Sequence, residues 1–515
     1  MSRISRRRFL SAGPAIAAGV GVGSAMAKGL PEAGEAVRDD RKNVLLLMAD
    51  QHRPEALGVR GDETAKTPNL DELARSGVCF DHAYCTDPVC LPSRASLLTG
   101  LYVHQHKAYN NQTPWPFEHK TIAHAFARAG YMTALIGKMH FADAQNHGFD
   151  YKLDFNDWYQ YLGPKTKLRA EEIVYANDGS GLPQVENLWG EHERYDPWTG
   201  VIGTDNRQGY VAVGRVSALA EEDHFESFVA RESIYFLKNY GTKRPFFLVS
   251  SFLKPHDPFM PAGRFARMFH AVDMKLSPSW DKVDLSTVPR FIRDLIHYNW
   301  ATPEITPDAP GSVGNAKLRI ALYYAQLAQT DDCVGKILAA LKDLGLDGNT
   351  IILYTADHGE MLSAHGLWQK FVFYDPSAGV PLLLRAPGVT PQNSRCENPV
   401  SLVQVYSTLM ELCGLPAPPG LDGPSFAGDL REPHKKVART IFAEHNLPGR
   451  QSGYMIRNGD FKYCYYVDDM PELYNLSADP VEMRNLALRP EYKDKVREMQ
   501  DTLFAWYRPP QAMSR

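Results

Sequence analysis

The chain has 515 residues, 44% of them hydrophobic, which is ample for a large core and fits one large domain with a smaller appendage. Its formal charge of -4 arises from 56 basic and 60 acidic side chains. That scattered balance describes an ordinary solvated surface and gives no support to a nucleic-acid partner.

The first element in chain order is a leader. Ser5-Arg6-Arg7-Arg8-Phe9-Leu10 runs into a weakly apolar stretch, Ser11 to Ser24, and Ala25-Met26-Ala27 offers a small-x-small cleavage site. This reads as a twin-arginine export signal over residues 1–27, with a basic, Ala-rich tail as the competing reading. The apolar run is too short and glycine-rich to span a bilayer stably, and no later stretch has the length. The expectation is a periplasmic or secreted protein without stable membrane insertion, its mature chain beginning near Lys28 with a flexible lead over 28–42. Export permits disulfides, but the seven cysteines (79, 85, 90, 333, 396, 413 and 464) show no framework. A Cys79–Cys85 bridge stays open. No C-x-x-C pair or Cys/His cluster suggests zinc.

Asn43 to Ala49 is a continuous apolar run, suited to a parallel strand buried on both faces, and it stops at Asp50-Gln51-His52-Arg53. Thr67-Pro68 then opens a helix, with Thr67 as its N-cap. The same pattern recurs. Met132 to Ile136 leads to Gly137-Lys138-Met139-His140. Phe246 to Phe252 leads to Lys254-Pro255-His256-Asp257. Ile351 to Ala356 leads to Asp357-His358-Gly359-Glu360. Leu318 to Leu344 reads as one long helix. Alternating apolar strands and helices predict an α/β fold with a large, mostly parallel central sheet flanked by helices. Residues 143–225, rich in aromatics that include Trp158, Tyr159, Tyr161, Trp189 and Trp198, read as an insertion over the sheet edge. A packed cover is the safer reading there than a substrate lid. Residues 276–312 read as a long loop or second insertion. The catalytic domain is then 43–435. Residues 436–515 form a small α+β subdomain, with strands near 454–457, 461–466 and 472–474 and a helix near 490–507.

Ligands of such sheets bind beyond the carboxyl ends of the strands. Four strands here deliver polar groups to that end: Asp50, Lys138, His140, His256, Asp357 and His358, with Lys370 a little later. Two carboxylates and an imidazole suit a hard divalent cation such as calcium, magnesium or manganese. The surplus lysines and histidines suit a phosphate- or sulfate-like anion. One such residue alone would be read as a surface salt-bridge partner; seven at equivalent ends would not. The pair Asp331-Asp332 lies mid-helix, away from any strand end, and is assigned a structural role.

Cys90-Leu91-Pro92-Ser93-Arg94-Ala95-Ser96-Leu97-Leu98-Thr99-Gly100 resembles the C-x-P-S-R-x-x-x-L-T-G signature of type I sulfatases, in the alkaline-phosphatase superfamily. Thr67 to Ala74, Gly137 to His140, Asp357 to Gly359 and Glu472 to Pro480 resemble further family blocks in family order. The resemblance runs from about Asn43 to about Leu488. It implies that a maturation enzyme, reading Pro92 and Arg94, oxidises Cys90 to Cα-formylglycine. One hydroxyl of the aldehyde hydrate would attack sulfur, and the other would collapse the sulfated hemiacetal. It also implies Asp50, Asp357, His358 and the modified Cys90 as metal ligands, with calcium first and manganese or magnesium open. Arg94 would hold the formylglycine, Lys138, His140 and Lys370 would bind sulfate, and His256 would protonate the leaving alcohol.

Two positions depart from many members of the family. Gln51 and His358 stand where an Asp and an Asn are common, a pairing similar to the choline-sulfatase and phosphonate-monoester-hydrolase branches. Tyr131 to Phe141 and His147-Gly148-Phe149 resemble choline sulfatase in particular. Gln51 is therefore read as a metal neighbour, its ligand role left open. The expected activity is hydrolysis of a sulfate ester, leaning to a carbohydrate, with a choline-sulfatase-like small molecule or a phosphonate or phosphate ester as alternatives.

Overall fold

The apolar run at Asn43 becomes the middle of the molecule. The computed structural model describes residues 40–113, 115, 118–141, 145–166, 195–196, 201–202, 214, 216–217, 219–298, 305, 307, 311–445 and 452–509. Its central sheet has eight strands: β1 (Asn43–Asp50), β2 (Val78–Phe80), β3 (Met132–Gly137), β4 (Tyr151–Leu153), β5 (Phe246–Pro255), β6 (Thr350–Ala356), β7 (Leu382–Arg385) and β8 (Ser394–Cys396). Their order is β8-β2-β7-β6-β1-β5-β3-β4. Only β7 runs against the rest. Every residue of β1, β5 and β6 is buried, as strands covered on both faces require. The carboxyl ends of β1, β3, β5 and β6 therefore share one edge.

Helices α1 (Pro68–Arg75), α2 (Cys90–Thr99), α3 (Phe225–Phe236) and α4 (Ser312–Asp343) flank the sheet, with α3 and α4 packed on each other and on β5. Thr67 takes the N-cap position of α1 and Pro68 the first turn, as expected, but the capping bonds come from elsewhere. Thr67 makes no side-chain capping bond; its hydroxyl accepts from Gly58 N and donates to Asp71. Asp331, from α4, does the capping instead. Its carboxylate accepts from the main-chain N–H groups of Asn69 (3.2 Å) and Leu70 (2.8 Å) and from Asn69 Nδ2 (2.7 Å). Asp332 pairs with Arg264 and Lys336. The structural reading of this acidic pair holds.

The described parts of two expected insertions are more regular than their sequences suggest. Tyr151–Leu153 is the edge strand β4 itself, and Trp158 and Tyr159 are buried in the core. Trp189 and Trp198 lie outside the described residues, as does the leader over 1–27. Within 276–312 a helix forms over Arg290–Tyr298, where Phe291, Ile292, Leu295 and Ile296 make an apolar stripe behind Pro289. The prolines around it hide that periodicity. All seven thiols are free, so the Cys79–Cys85 bridge is not formed. No helix among the described residues is long and apolar enough to cross a membrane.

The C-terminal subdomain is an antiparallel meander, β9 (Thr440–His445), β10 (Gly453–Asn458), β11 (Phe461–Tyr466) and β12 (Glu472–Asn475). Helix α5 (Lys493–Trp506) covers it through Met499 and Leu503. Sequence reasoning found three of these strands and missed β9. Buried polar groups fasten the meander to the segment that follows Lys370. Lys462 Nζ donates to Phe373 O (2.8 Å) and to Asp375 (2.6 Å) and pairs with Glu482. Glu472 accepts from the hydroxyls of Tyr374, Tyr466 and Tyr474.

Asp331→Ala removes three hydrogen bonds at the start of α1. It is expected to lower stability by about 1–3 kcal/mol in chemical denaturation while leaving kcat/KM unchanged. A stability loss below that range would remove Asp331 as the cap of α1.

Candidate active site

Cys90 is the first residue of α2 and is fully buried. Arg94 lies one turn further on, so both side chains leave the same face of the helix. The guanidinium is buried and reaches the ends of β1, β3 and β6 and the middle of β5. Nη2 donates to Asp50 Oδ2 (2.9 Å) and Nε to Asp357 Oδ2 (2.7 Å). Nη1 donates to Lys138 O (2.6 Å) and Ser251 Oγ (2.9 Å). Gly137 lets β3 lie close against β5 here. It has a φ of +111°, and a Cβ there would collide with Ser251 O.

The residues expected from the sequence meet around the Cys90 sulfur. Lys370 Nζ and His358 Nε2 each lie 3.3 Å from Sγ; Lys138 Nζ and Asp50 Oδ1 lie at 3.9 Å. Lys138 Nζ also pairs with Asp50 Oδ2 at 2.7 Å. Burial opposes ionisation of the Cys90 thiol, but Lys138, Lys370 and His358 outweigh it and hold the thiol well below its usual range. Position 90 is thus a place built for negative charge. His140 lies beside it with φ +63°. Burial pushes the His140 ring down to about 4, so it is neutral, although a hydrogen bond with the Cys90 side chain works against that shift.

His256 stands on the opposite side of Lys370, with Nε2 2.9 Å from Lys370 Nζ and Nδ1 2.6 Å from Asp257 O. Burial and Lys370 disfavour its charge, yet Asp257 and Asp50 prevail and raise its pKa above that of an ordinary histidine. Gln51, left open as a ligand, spends its amide on neighbours. Its Oε1 accepts from Lys370 Nζ (2.9 Å), and its Nε2 donates to Asp257 and Glu360.

Asp50, Cys90, Asp357 and His358 each offer a ligand atom, and all four atoms lie within 4.8 Å of one another. The donor set fits a divalent cation on three counts. His358 Nδ1 faces Gly359 O at 2.9 Å, which assigns the tautomer with the Nε2 lone pair turned to the cluster. Asp357 Oδ1 is fixed by the main-chain N–H groups of Gln51 (3.1 Å) and His358 (3.0 Å). Of the two carboxylates, Asp357 also lacks enough positive charge. Burial and Cys90 oppose ionisation of Asp50, which Lys138, His256 and Arg94 nonetheless hold well below the carboxylate range. Burial pushes Asp357 up despite Arg94, with the charge of Asp50 adding to it. A bound dication would relieve that repulsion. With cysteine at position 90, the sulfur stands where an oxygen ligand would sit after oxidation.

Sequence reasoning missed the supporting groups: Ser251, Asp257, Glu360, and Ser93, whose hydroxyl donates to Asp357 O at 2.5 Å. Ser93 stands in the quoted C-x-P-S-R stretch and Asp257 and Glu360 stand beside expected site residues, whereas Ser251 carried no signal.

The Sulfatase family model matches residues 42–415. The chain belongs to the sulfatase family. A second model, the C-terminal region of N-sulphoglucosamine sulphohydrolase, matches 363–508. An arylsulfatase of Clostridium perfringens is 29% identical, over 88% of this chain and 92% of its own length. A choline-sulfatase of Rhizobium meliloti is also 29% identical, over 87% and 83%. The solved phosphonate monoester hydrolase of Agrobacterium radiobacter superposes with a TM-score of 0.73 at 25% identity, over 90% of this chain and 95% of that one. This sulfatase is a sulfuric ester hydrolase of the alkaline-phosphatase superfamily. Its cluster at the sheet edge is the candidate active site.

Arg94 supports both carboxylates from outside the ligand shell, and loss of such partners typically weakens metal binding about 10–100-fold. Arg94→Lys is expected to lower the affinity for a divalent cation within that range in calorimetric titrations of metal-free protein with Ca2+ and with Mn2+. Unchanged affinity would show that Arg94 does not set the ligand geometry.

Proposed function

We propose that this protein is an exported sulfatase that cleaves a sulfate ester of a carbohydrate, with Cys90 oxidised to Cα-formylglycine by a maturation enzyme and Ca2+ held by Asp50, Asp357, His358 and position 90. The observation that carries the reading is the Cys90 side chain at the focus of Lys370, His358, Lys138 and Asp50, on the shared carboxyl edge. A thiolate held there could attack sulfur once, but its product would be a stable ester. A geminal diol has a second hydroxyl, and that is the chemical reason to convert the residue.

When bound, the cation supplies Lewis acidity at the reacting oxygens. The chain's own residues do the rest. Arg94 holds Asp50 and Asp357 apart at a fixed separation. Lys138, Lys370 and neutral His140 receive the sulfate oxygens. One diol oxygen forms a bond to sulfur as the bond from sulfur to the alcohol oxygen breaks, and His256 gives its proton to that departing oxygen. The second hydroxyl then gives its proton to water, as the attacking hydroxyl did before it, and re-forms the carbonyl while the carbon–oxygen bond to sulfate breaks and sulfate leaves with the electron pair. Addition of water to the aldehyde restores the diol.

The carbohydrate reading is supported by the C-terminal match, whose model bears the name of an N-sulphoglucosamine enzyme. The Ser5–Ala27 pattern supports twin-arginine export to the periplasm or beyond, which suits a polymeric substrate. That route carries folded chains and lets Cys90 be modified first. Gln51 and His358, with the likeness to a phosphonate monoester hydrolase, favour phosphonate ester hydrolysis as the second reading.

Release of sulfate is expected from sulfated glycans rather than choline sulfate in a side-by-side screen. Aryl sulfate is expected to exceed aryl phosphonate in kcat/KM. A large phosphonate preference would replace the first reading with the second.

To act as the acid, His256 must carry a proton on Nε2, so the Lys370 ammonium that donates to that nitrogen in this structure must turn from it to the substrate. Because its pKa is raised above that of an ordinary histidine, the ring keeps a proton to higher pH and loses it as the pH climbs past that raised value. The profile of kcat for poor leaving groups is expected to fall on the alkaline side, with a midpoint above 6.5 that disappears in His256→Ala.

A further inference from the structure

Two residues before His256, Lys254 sits buried at the end of β5. Glu226, in the first turn of α3 and fully buried, grips it twice. Oε1 accepts from Lys254 N (3.1 Å) and Oε2 from Lys254 Nζ (2.8 Å). His224, just ahead of α3, accepts from the same ammonium at Nδ1 (3.0 Å). Burial and Lys254 keep that ring neutral, as an acceptor must be.

We propose that Glu226, acting through Lys254, is a positioning residue that aims His256 at the leaving oxygen. This rests on the reading of His256 as the general acid.

A buried ion pair is a poor stabiliser, because removing two charges from water costs about as much as their attraction returns. Apolar side chains could fill the same space between α3 and β5. What they could not do is bind the main-chain N–H of Lys254 and its side chain with one rigid carboxylate. That bond fixes the direction of the chain where β5 ends, with Pro255 opposite Asp50 in the sheet register. On the far side of His256, Gln326 Nε2 donates to Pro258 O (2.8 Å), and Gln329 Oε1 accepts from Ala262 N (3.1 Å). The acid is therefore held from both ends, and Glu226–Lys254 is the ionic end. His256 itself touches neither residue of the pair, so any effect on its chemistry runs through the backbone.

The test uses full-length, matured enzyme and aryl sulfates of rising leaving-group pKa. Proton donation by a well-placed acid is worth about 10²–10⁴-fold, and mostly for poor leaving groups. Glu226→Gln is expected to lose less than about 3-fold in kcat/KM on 4-nitrophenyl sulfate and more than about 10-fold on phenyl sulfate, so that its dependence on leaving group approaches that of His256→Ala. An equal loss on every substrate, or no loss, would overturn the positioning role. Lys254→Gln is read in the same way and decides the matter if Glu226→Gln does not fold. If His256→Ala itself leaves the dependence unchanged, the general-acid reading falls and this inference with it. If only His256→Ala steepens it, the inference alone is wrong.

Discussion

One buried guanidinium organises this site. Arg94 is fully enclosed and donates to Asp50, Asp357, the Lys138 carbonyl and Ser251. Each partner belongs to a different strand, three of them at the carboxyl end and Ser251 within β5, so a single side chain ties β1, β3, β5 and β6 together beside the site. Enclosing that charge would be costly without partners, and the two carboxylates would repel each other without it. The planar fork satisfies both needs, since it offers donors along two edges at fixed angles. A lysine offers one point of charge and could not span the pair.

The remaining charges follow from that frame. With Arg94 holding one oxygen of each carboxylate, Asp50 Oδ1 and Asp357 Oδ1 are left toward Cys90 and His358. Lys138, Lys370 and the two histidines then surround a volume that is rich in donors and buried from water, where electrostatic stabilisation is strongest. Lys370 is the one member not delivered by a strand end. It depends on the C-terminal meander, because Lys462 and Glu472 hold the residues just after it. The smaller subdomain is thus part of the active site's support.

Much of this was legible in the sequence. Asn43 to Ala49, Phe246 to Phe252 and Ile351 to Ala356 are uninterrupted apolar runs, and runs of that length end where polar residues begin. The positions of Asp50, His256, Asp357 and His358 followed from that alone, and the Cys90 stretch gave the family. What was hidden depends on contacts distant in sequence. The capping of α1 by Asp331 joins residues far apart in the chain, and nothing near Thr67 announces it. Gln51 reads as a substitution for a ligand, yet its amide is engaged by Lys370, Asp257 and Glu360. β4 was missed because it is only three residues long. β9 was missed because Thr440 to His445 mixes charged and apolar residues, with Glu444 and His445 buried among partners.

The central claim is that position 90 is not a cysteine in the working enzyme. Mass spectrometry of the peptide carrying residue 90, from protein made in its own host and assayed for sulfate release, tests it most directly. The account predicts an aldehyde mass at that residue in a fraction of molecules that matches the active fraction. Full activity in a preparation whose residue 90 is entirely unmodified cysteine would contradict it.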